Sequence, residues 1–341
     1  RRMKKSLLCL TLATAITSVG MPLRAHGEET AESAKKRYDE AVAQYNLGSA
    51  GFFQYLGNKG DEDAKQAYKI ITVTDNSLQD GAKSTVDYSV YTHLGVADDA
   101  TNLENMKKAV NELNMVNEYR KKENDTRGTS LADLQVTSTL MAISQYQLNY
   151  SKAVIEHSQA FNVAENLAWG STNPFMGWYD EEKALYDGGN HTFEDVGHYL
   201  NVVNDSYTVM GYSYVSGSNV TYGRAYGQTF GSTASGFSKT AVVSMSVADY
   251  QAKFNAYYNE VKNELAEAEK ALKDAGGNVP DQDETISKPD NSGSDNSAAS
   301  NAETNTDTIK NTAEGASGIA LITLMLCGVA FVAMLGKKRK A

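Results

Sequence analysis

The sequence predicts an α+β fold, in which helices and antiparallel strands build one domain. Residues 246–275 repeat apolar side chains at steps of three and four residues, the spacing of one face of a long helix. Residues 138–151 predict a second helix within the central part of the chain. Residues 207–215 and 225–230 alternate in character and are rich in Tyr, Val and Thr, which is typical of strands.

The chain opens with a segment typical of a secretory signal peptide, residues 1–27. It has a basic start, an apolar run over residues 6–21 and small residues at which cleavage is expected. Residues 28–100 follow as an extension, with an amphipathic helix over residues 30–46 and a less regular part after it. We expect this extension to dock on the main domain, assigned to residues 101–233.

A helix is predicted to open that domain. Thr101 and Glu104 have the spacing of a capping box, and an apolar face follows them. Continuing that face places Asn117 and Arg120 inward. We interpret these two as a structural pair that binds backbone carbonyl groups, because buried polar side chains need partners.

Two histidines and two glutamates stand out in the middle of the chain: His157, Glu165, Glu181 and His198. Imidazole and carboxylate groups bind zinc, and carboxylates also orient ligating histidines. Their spacing is too wide for one helix, so the fold must bring them together. Glu182, the neighbour of Glu181, could be the second glutamate instead. The W-x-x-E spacing along the sequence from Trp178 favours Glu181.

The short sequence motifs around these residues resemble those of the CAP superfamily, which includes cysteine-rich secretory proteins, antigen 5 and pathogenesis-related-1 proteins. The shared segments are H-S at 157, A-E-N-L-A at 164, W-Y-D-E at 178 and G-H-Y at 197, and N-E-Y-R at 117 matches half of a further motif. The resemblance covers about residues 100–231. Within the superfamily, this sequence is similar to the branch found on Gram-positive cell surfaces. The chain departs from the family pattern at Val116, Ala164 and residues 203–204.

The resemblance implies an α-β-α sandwich with a wide cleft. In that cleft His157 and His198 would bind zinc or another divalent cation. Glu165 and Glu181 would orient the histidines or act as catalytic candidates, and Tyr199 would line the cleft. The family shares no single activity, so no catalytic residue follows from the resemblance.

The end of the chain predicts attachment to a membrane. After the helix 246–277 come residues 278–313, a polar linker that cannot bury enough apolar surface to fold. Residues 314–341 hold an apolar run long enough to cross a bilayer and a basic tail expected in the cytoplasm. Residues 309–313 resemble a degenerate sortase motif, so cleavage and attachment to the wall remain the alternative.

The cysteine positions and the net charge restrict where the protein is expected to act and which partners it is expected to bind. Cys9 lies in the signal peptide and Cys327 in the anchor, so no disulfide is expected in the exported domain. The net charge of −10 argues against nucleic acid as a partner. We expect an extracellular domain on a Gram-positive cell that binds a host component, a wall polymer or a small apolar ligand.

Two other functions stay open from sequence alone. A metal-dependent hydrolase could use the histidines and glutamates, although Ser158 is not expected to use the neighbouring His157 as its base. In a scaffold, the same polar residues would only stabilise the fold.

Overall fold

A computed structural model describes residues 30–232 and 244–280, which fold into nine α-helices, one π-helix and a four-stranded sheet. The predicted signal peptide, most of the predicted linker and the predicted anchor lie outside these residues. Within them, no helix combines the length and apolarity needed to cross a bilayer. The α-helices are α1 Ala31–Asn46, α2 Ser49–Asn58, α3 Glu62–Thr72, α4 Leu103–Glu112, α5 Met115–Arg127, α6 Ser138–Ser151, α7 Glu182–Asp187, α8 Phe193–Val202 and α9 Val247–Asp274.

The sheet has the strand order β1-β3-β4-β2, with β1 Gln135–Val136, β2 Ala164–Trp169, β3 Val209–Ser216 and β4 Arg224–Gly231. The β2–β4 and β3–β4 pairs are antiparallel, whereas the short β1 runs parallel to β3. The expectation of a purely antiparallel sheet is therefore wrong at β1. Strand β2, at one edge, carries the A-E-N-L-A segment.

Helix α6 packs on one face of the sheet at very close range. A Cβ atom on Gly211 would lie 2.1 Å from the carbonyl group of Leu140, so only glycine allows this approach. Beside it, the hydroxyl groups of Ser144 and Ser213 lie 2.7 Å apart. Tyr212 and Tyr214 point to the opposite face, towards α4, because side chains alternate along a strand. Helices therefore cover both faces, as in an α-β-α sandwich.

The predicted first helix of the domain is divided in two. Asn102, rather than Thr101, caps α4, and its Oδ1 accepts from the Glu104 amide at 2.9 Å. The helix is interrupted between α4 and α5, where Asn114 precedes the first residue of α5. Thr101 is buried and binds Asp99 instead, so the predicted capping box is wrong.

The extension 30–100 and α9 cover the outside of the sandwich. Helices α1 and α9 lie antiparallel, joined by an ion pair between Arg37 and Glu264 at 2.7 Å and by Gln44 and Tyr257 at 3.0 Å. Phe52 of α2 packs edge-on against Tyr250 and Phe254 of α9. The region that was hardest to read from sequence thus supplies buried aromatic rings.

Candidate functional site

The first His–Glu pair joins the loop after α6 to strand β2. His157 Nδ1 lies 2.7 Å from Glu165 Oε2, and both side chains are almost fully buried. Because an ionised carboxylate only accepts hydrogen bonds, it favours the tautomer with the proton on Nδ1. The Nε2 atom of His157 is buried and has no hydrogen-bond partner among the described residues.

Gln147 of α6 supports this pair from behind. Its Nε2 donates to Glu165 Oε1 at 2.9 Å, and its Oε1 accepts from the Phe161 amide at 3.1 Å. One buried side chain therefore fixes both the carboxylate and the backbone of the loop that carries His157. Sequence reasoning did not select Gln147, and its position on a helix that is buried nearly all round is the only signal for it.

The second pair joins α7 to α8. His198 Nδ1 lies 2.5 Å from Glu182 Oε1, and Glu182 Oε2 accepts from the Tyr199 amide at 2.9 Å. The imidazole of His198 stacks on Trp178, with ring centroids 6.4 Å apart. Both members of the pair are about 1% exposed, so the interaction is screened from water.

The partner of His198 is Glu182, which corrects the choice of Glu181 made from spacing. Glu181 is exposed, and Glu182 is buried. The π-helix Met176–Glu181 precedes α7. The inward-facing glutamate lies four residues after Trp178, one position later than the W-x-x-E spacing, and residues three and four apart can both lie on one face of a helix.

Strand β2 contacts both His–Glu pairs, through its neighbouring residues Glu165 and Asn166. Glu165 points towards α6, where it binds Gln147. Its neighbour Asn166 points the other way, donating to the His198 carbonyl at 3.2 Å and accepting from Asn201 at 2.9 Å. Adjacent residues of a strand face opposite sides of a sheet. The edge strand β2 therefore links the two histidine sites.

Tyr199 does not line an open cleft, contrary to the prediction. It is 2% exposed, and its hydroxyl donates to Glu123 Oε1 at 2.7 Å. Tyr179 donates to Glu123 Oε2 at 2.6 Å, and Arg127 lies 2.8 Å from the same carboxylate. Burial, together with the Glu123 carboxylate, raises the pKa of both tyrosines well above 10, so they stay neutral donors.

Asn117 and Arg120 lie where the sequence analysis expected a structural pair. Asn117 exchanges two hydrogen bonds with the backbone of Leu134, at 3.0 and 2.8 Å. The guanidinium group of Arg120 donates to the carbonyl groups of Ala132, Val202 and Asn204 at 2.8–2.9 Å. The two side chains thus tie α5 to the loop before β1 and to the end of α8.

The two histidines are of the right chemical type to bind a metal, but the described residues provide few ligands for one ion. In each pair the carboxylate occupies Nδ1, the arrangement that orients a histidine to bind a metal through Nε2. Yet the described residues contain no group of three or more His, Cys, Asp or Glu side chains placed to hold one ion. A site built from these residues would need water for its remaining ligands, as open sites do.

Comparison with known families agrees with the fold and with these motifs. Residues 113–230 match the model of the CAP family, described as the cysteine-rich secretory protein family. Residues 113–230 are therefore a CAP domain. No curated protein and no solved structure matches the chain. The match spans α5 to β4 and includes both His–Glu pairs, whereas α1–α4 and α9 lie outside it.

Proposed function

We propose that this CAP protein acts by binding an extracellular ligand at the cell surface, and that its His–Glu pairs are not a hydrolytic centre. The observation that supports this is the use of the carboxylates. All four carboxylate oxygen atoms of Glu165 and Glu182 accept hydrogen bonds from protein groups. A general base needs an oxygen within reach of the substrate or its water. Here the carboxylates serve to orient the histidines.

Ser158 offers no alternative nucleophile. Its side chain is fully buried, and its Oγ accepts from the Ala160 amide at 3.3 Å. A nucleophilic serine needs a base within hydrogen-bond distance and access to substrate. The atom of His157 that would act as the base, Nε2, makes no hydrogen bond to Ser158 or to any other described residue.

We further propose that His157 and His198 bind zinc or another divalent cation through Nε2. The buried, unpartnered Nε2 of His157 supports this, because an isolated buried polar atom is costly without a partner. The cation would supply positive charge for a carboxylate or carbonyl group of the ligand. Glu165 and Glu182 hold the two imidazole rings in place.

The ligand is proposed to be a host component, a wall polymer or a small apolar molecule. This proposal rests on the features of residues 1–27 and 278–341 that are typical of secretion, a polar linker and a membrane anchor. The acidic chain is unsuited to bind nucleic acid through its phosphates.

Calorimetric titration of the purified chain with zinc tests the cation site. The wild type is expected to bind saturably, and the double variant His157→Ala/His198→Ala is expected not to bind. The control is His93→Ala/His191→Ala, which removes two exposed histidines and should bind as the wild type does. Absence of binding by the wild type, or equal binding by both double variants, would contradict the proposed site.

A direct assay separates binding from hydrolysis. We expect no turnover of peptide or ester substrates by the purified chain with or without added zinc. Turnover that disappears with a chelator and in His198→Ala would overturn the proposal and identify a metal-dependent hydrolase.

A further inference from the structure

A segment outside the matched domain holds the loop that carries His157. Residues 75–88, called the strap below, run along the loop between α6 and β2. The Asp80 and Gly81 amides both donate to the Ala160 carbonyl, at 3.1 and 2.8 Å, and the Lys83 amide donates to the Gln159 carbonyl at 3.1 Å. These backbone bonds lie two and three residues beyond His157.

The contact at Gly81 leaves no room for a side chain. A Cβ atom there would lie 2.2 Å from the Gln159 oxygen and 2.8 Å from the carbonyl carbon of Ala160. Gln159 itself has a φ of +56°, a left-handed conformation that is uncommon for residues with a side chain. Such a conformation persists only when its surroundings impose it, and the strap provides part of those surroundings.

The strap has its own internal support. Gln79 donates to the carbonyl groups of Ser84 and Val86, at 3.1 and 2.6 Å. Its Oε1 accepts from the Tyr88 amide at 3.0 Å and from the Tyr146 hydroxyl of α6 at 2.8 Å. The strap is therefore fastened to the same helix that carries Gln147.

A continuous set of hydrogen bonds leads from the strap to the first His–Glu pair. Asp80 Oδ1 accepts from the Asn162 amide at 3.0 Å. The preceding residue, Phe161, donates its amide to Gln147, which in turn holds Glu165 against His157. Displacing the strap would move both the loop backbone and the carboxylate that orients the imidazole.

We propose that the strap, through Gly81 and Asp80, is a positioning element for the His157–Glu165 pair. The site is then completed by a part of the chain that precedes the CAP domain. The consequence for cation affinity rests on the proposed function, but the consequence for the geometry of His157 does not.

Histidine side-chain NMR on the ¹⁵N-labelled chain tests the proposal without any metal. In Gly81→Ala, the His157 ring signals are expected to shift away from the wild-type pattern of a proton on Nδ1. The His198 signals should stay unchanged. Gly231→Ala is the matched control, because a Cβ there meets only ordinary contacts at 3.6 Å. Unchanged His157 signals in folded Gly81→Ala would overturn the proposal.

A second substitution decides the matter if Gly81→Ala does not fold. Asp80 is exposed, and Asp80→Ala removes only the acceptor for the Asn162 amide. We expect His157 signals to shift in Asp80→Ala and to return in Asp80→Asn, which retains an acceptor oxygen. Failure of Asp80→Ala to shift them would contradict the proposal.

Zinc titration of the same variants separates the two proposals. If His157 binds zinc, the affinity should fall about tenfold in Gly81→Ala, the size expected when an orienting contact is lost. If the wild type does not bind zinc, the cation site is wrong, and the NMR result alone decides the role of the strap.

Discussion

At the scale of single residues, the fold distinguishes two adjacent glutamates. Glu182 accepts two hydrogen bonds from buried donors, the His198 ring and the Tyr199 amide, whereas Glu181 is exposed. Losing a partner is costly only where water cannot replace it. The pair therefore offers a comparison in which chain position and residue type are almost the same and only the environment differs.

Glu182→Ala should lower the free energy of unfolding by about 2–4 kcal/mol, because it leaves two buried donors without an acceptor. Glu181→Ala should change it by less than about 0.5 kcal/mol, as is usual at the surface. Urea unfolding followed by circular dichroism measures both. Similar losses in the two variants would show that the buried pair does not stabilise the domain.

Most of the candidate site could be predicted at this scale, because H-S, A-E-N-L-A and G-H-Y are short contiguous motifs that can be recognised without knowing the fold. Glu182 could not, since the residues three and four positions after Trp178 can both lie on the inner face of a helix and the sequence does not distinguish them. Gln147 and Glu123 were also missed, because their role comes from partners far along the chain. Tyr199 was placed in the cleft by its motif, but its hydroxyl is bound by Glu123.

At the scale of elements, Asp63 of helix α3 caps the beginning of helix α6. Asp63 Oδ2 accepts from the Ser138 amide at 2.5 Å and the Thr139 amide at 3.3 Å, at the start of α6. Asp63 Oδ1 is buried without a partner among the described residues. Burial outweighs these bonds and raises the pKa of Asp63 from 3.8 to about 6.

This raised pKa predicts a dependence of stability on pH. As the pH rises from about 4 to about 6, Asp63 ionises first in the unfolded chain, so the folded state loses stability relative to it. Asp63→Asn removes this effect and keeps an acceptor for Ser138. The difference in unfolding free energy between variant and wild type should change by about 2–3 kcal/mol from pH 4 to pH 7.

Urea unfolding at several pH values measures that difference, and other carboxylates cancel because they are common to both chains. A difference that stays constant from pH 4 to pH 7 would show that Asp63 does not retain a proton in the folded state.

The elements were predictable where periodicity was strong. The helix expected at residues 246–275 runs from Val247 to Asp274, and β3 and β4 lie within two residues of the predicted strands. Strand β2 was not predicted, because it is buried nearly throughout and shows no alternation. The break between α4 and α5 was missed because the apolar spacing continues through it.

At the scale of the whole molecule, the CAP domain is embedded in elements from outside its matched range. Helix α3 packs on α6, and α4 packs on β3. Ile70, Ile71, Leu103, Met106 and Val110 are all at most 2% exposed. At about 2 kcal/mol for each buried side chain, these five account for about 10 kcal/mol, comparable with the net stability of a domain.

A fragment of residues 113–230 is therefore expected to show no cooperative thermal transition. A fragment of residues 30–280 should unfold in one sharp step, since it retains α3, α4 and α9. Circular dichroism melts of the two fragments make the comparison. A cooperative transition in the shorter fragment would show that the matched domain is self-sufficient.

The antiparallel pairing of α1 and α9 determines how the protein would respond to force. The contacts of Arg37 with Glu264 and of Gln44 with Tyr257 place the beginning of α1 beside the end of α9. Tension applied at residues 30 and 280 would act across this pair rather than along it, opening its contacts one after another from that end. Such peeling needs less force than shearing all the contacts at once, so the two helices would extend before the sandwich that holds the histidines is loaded.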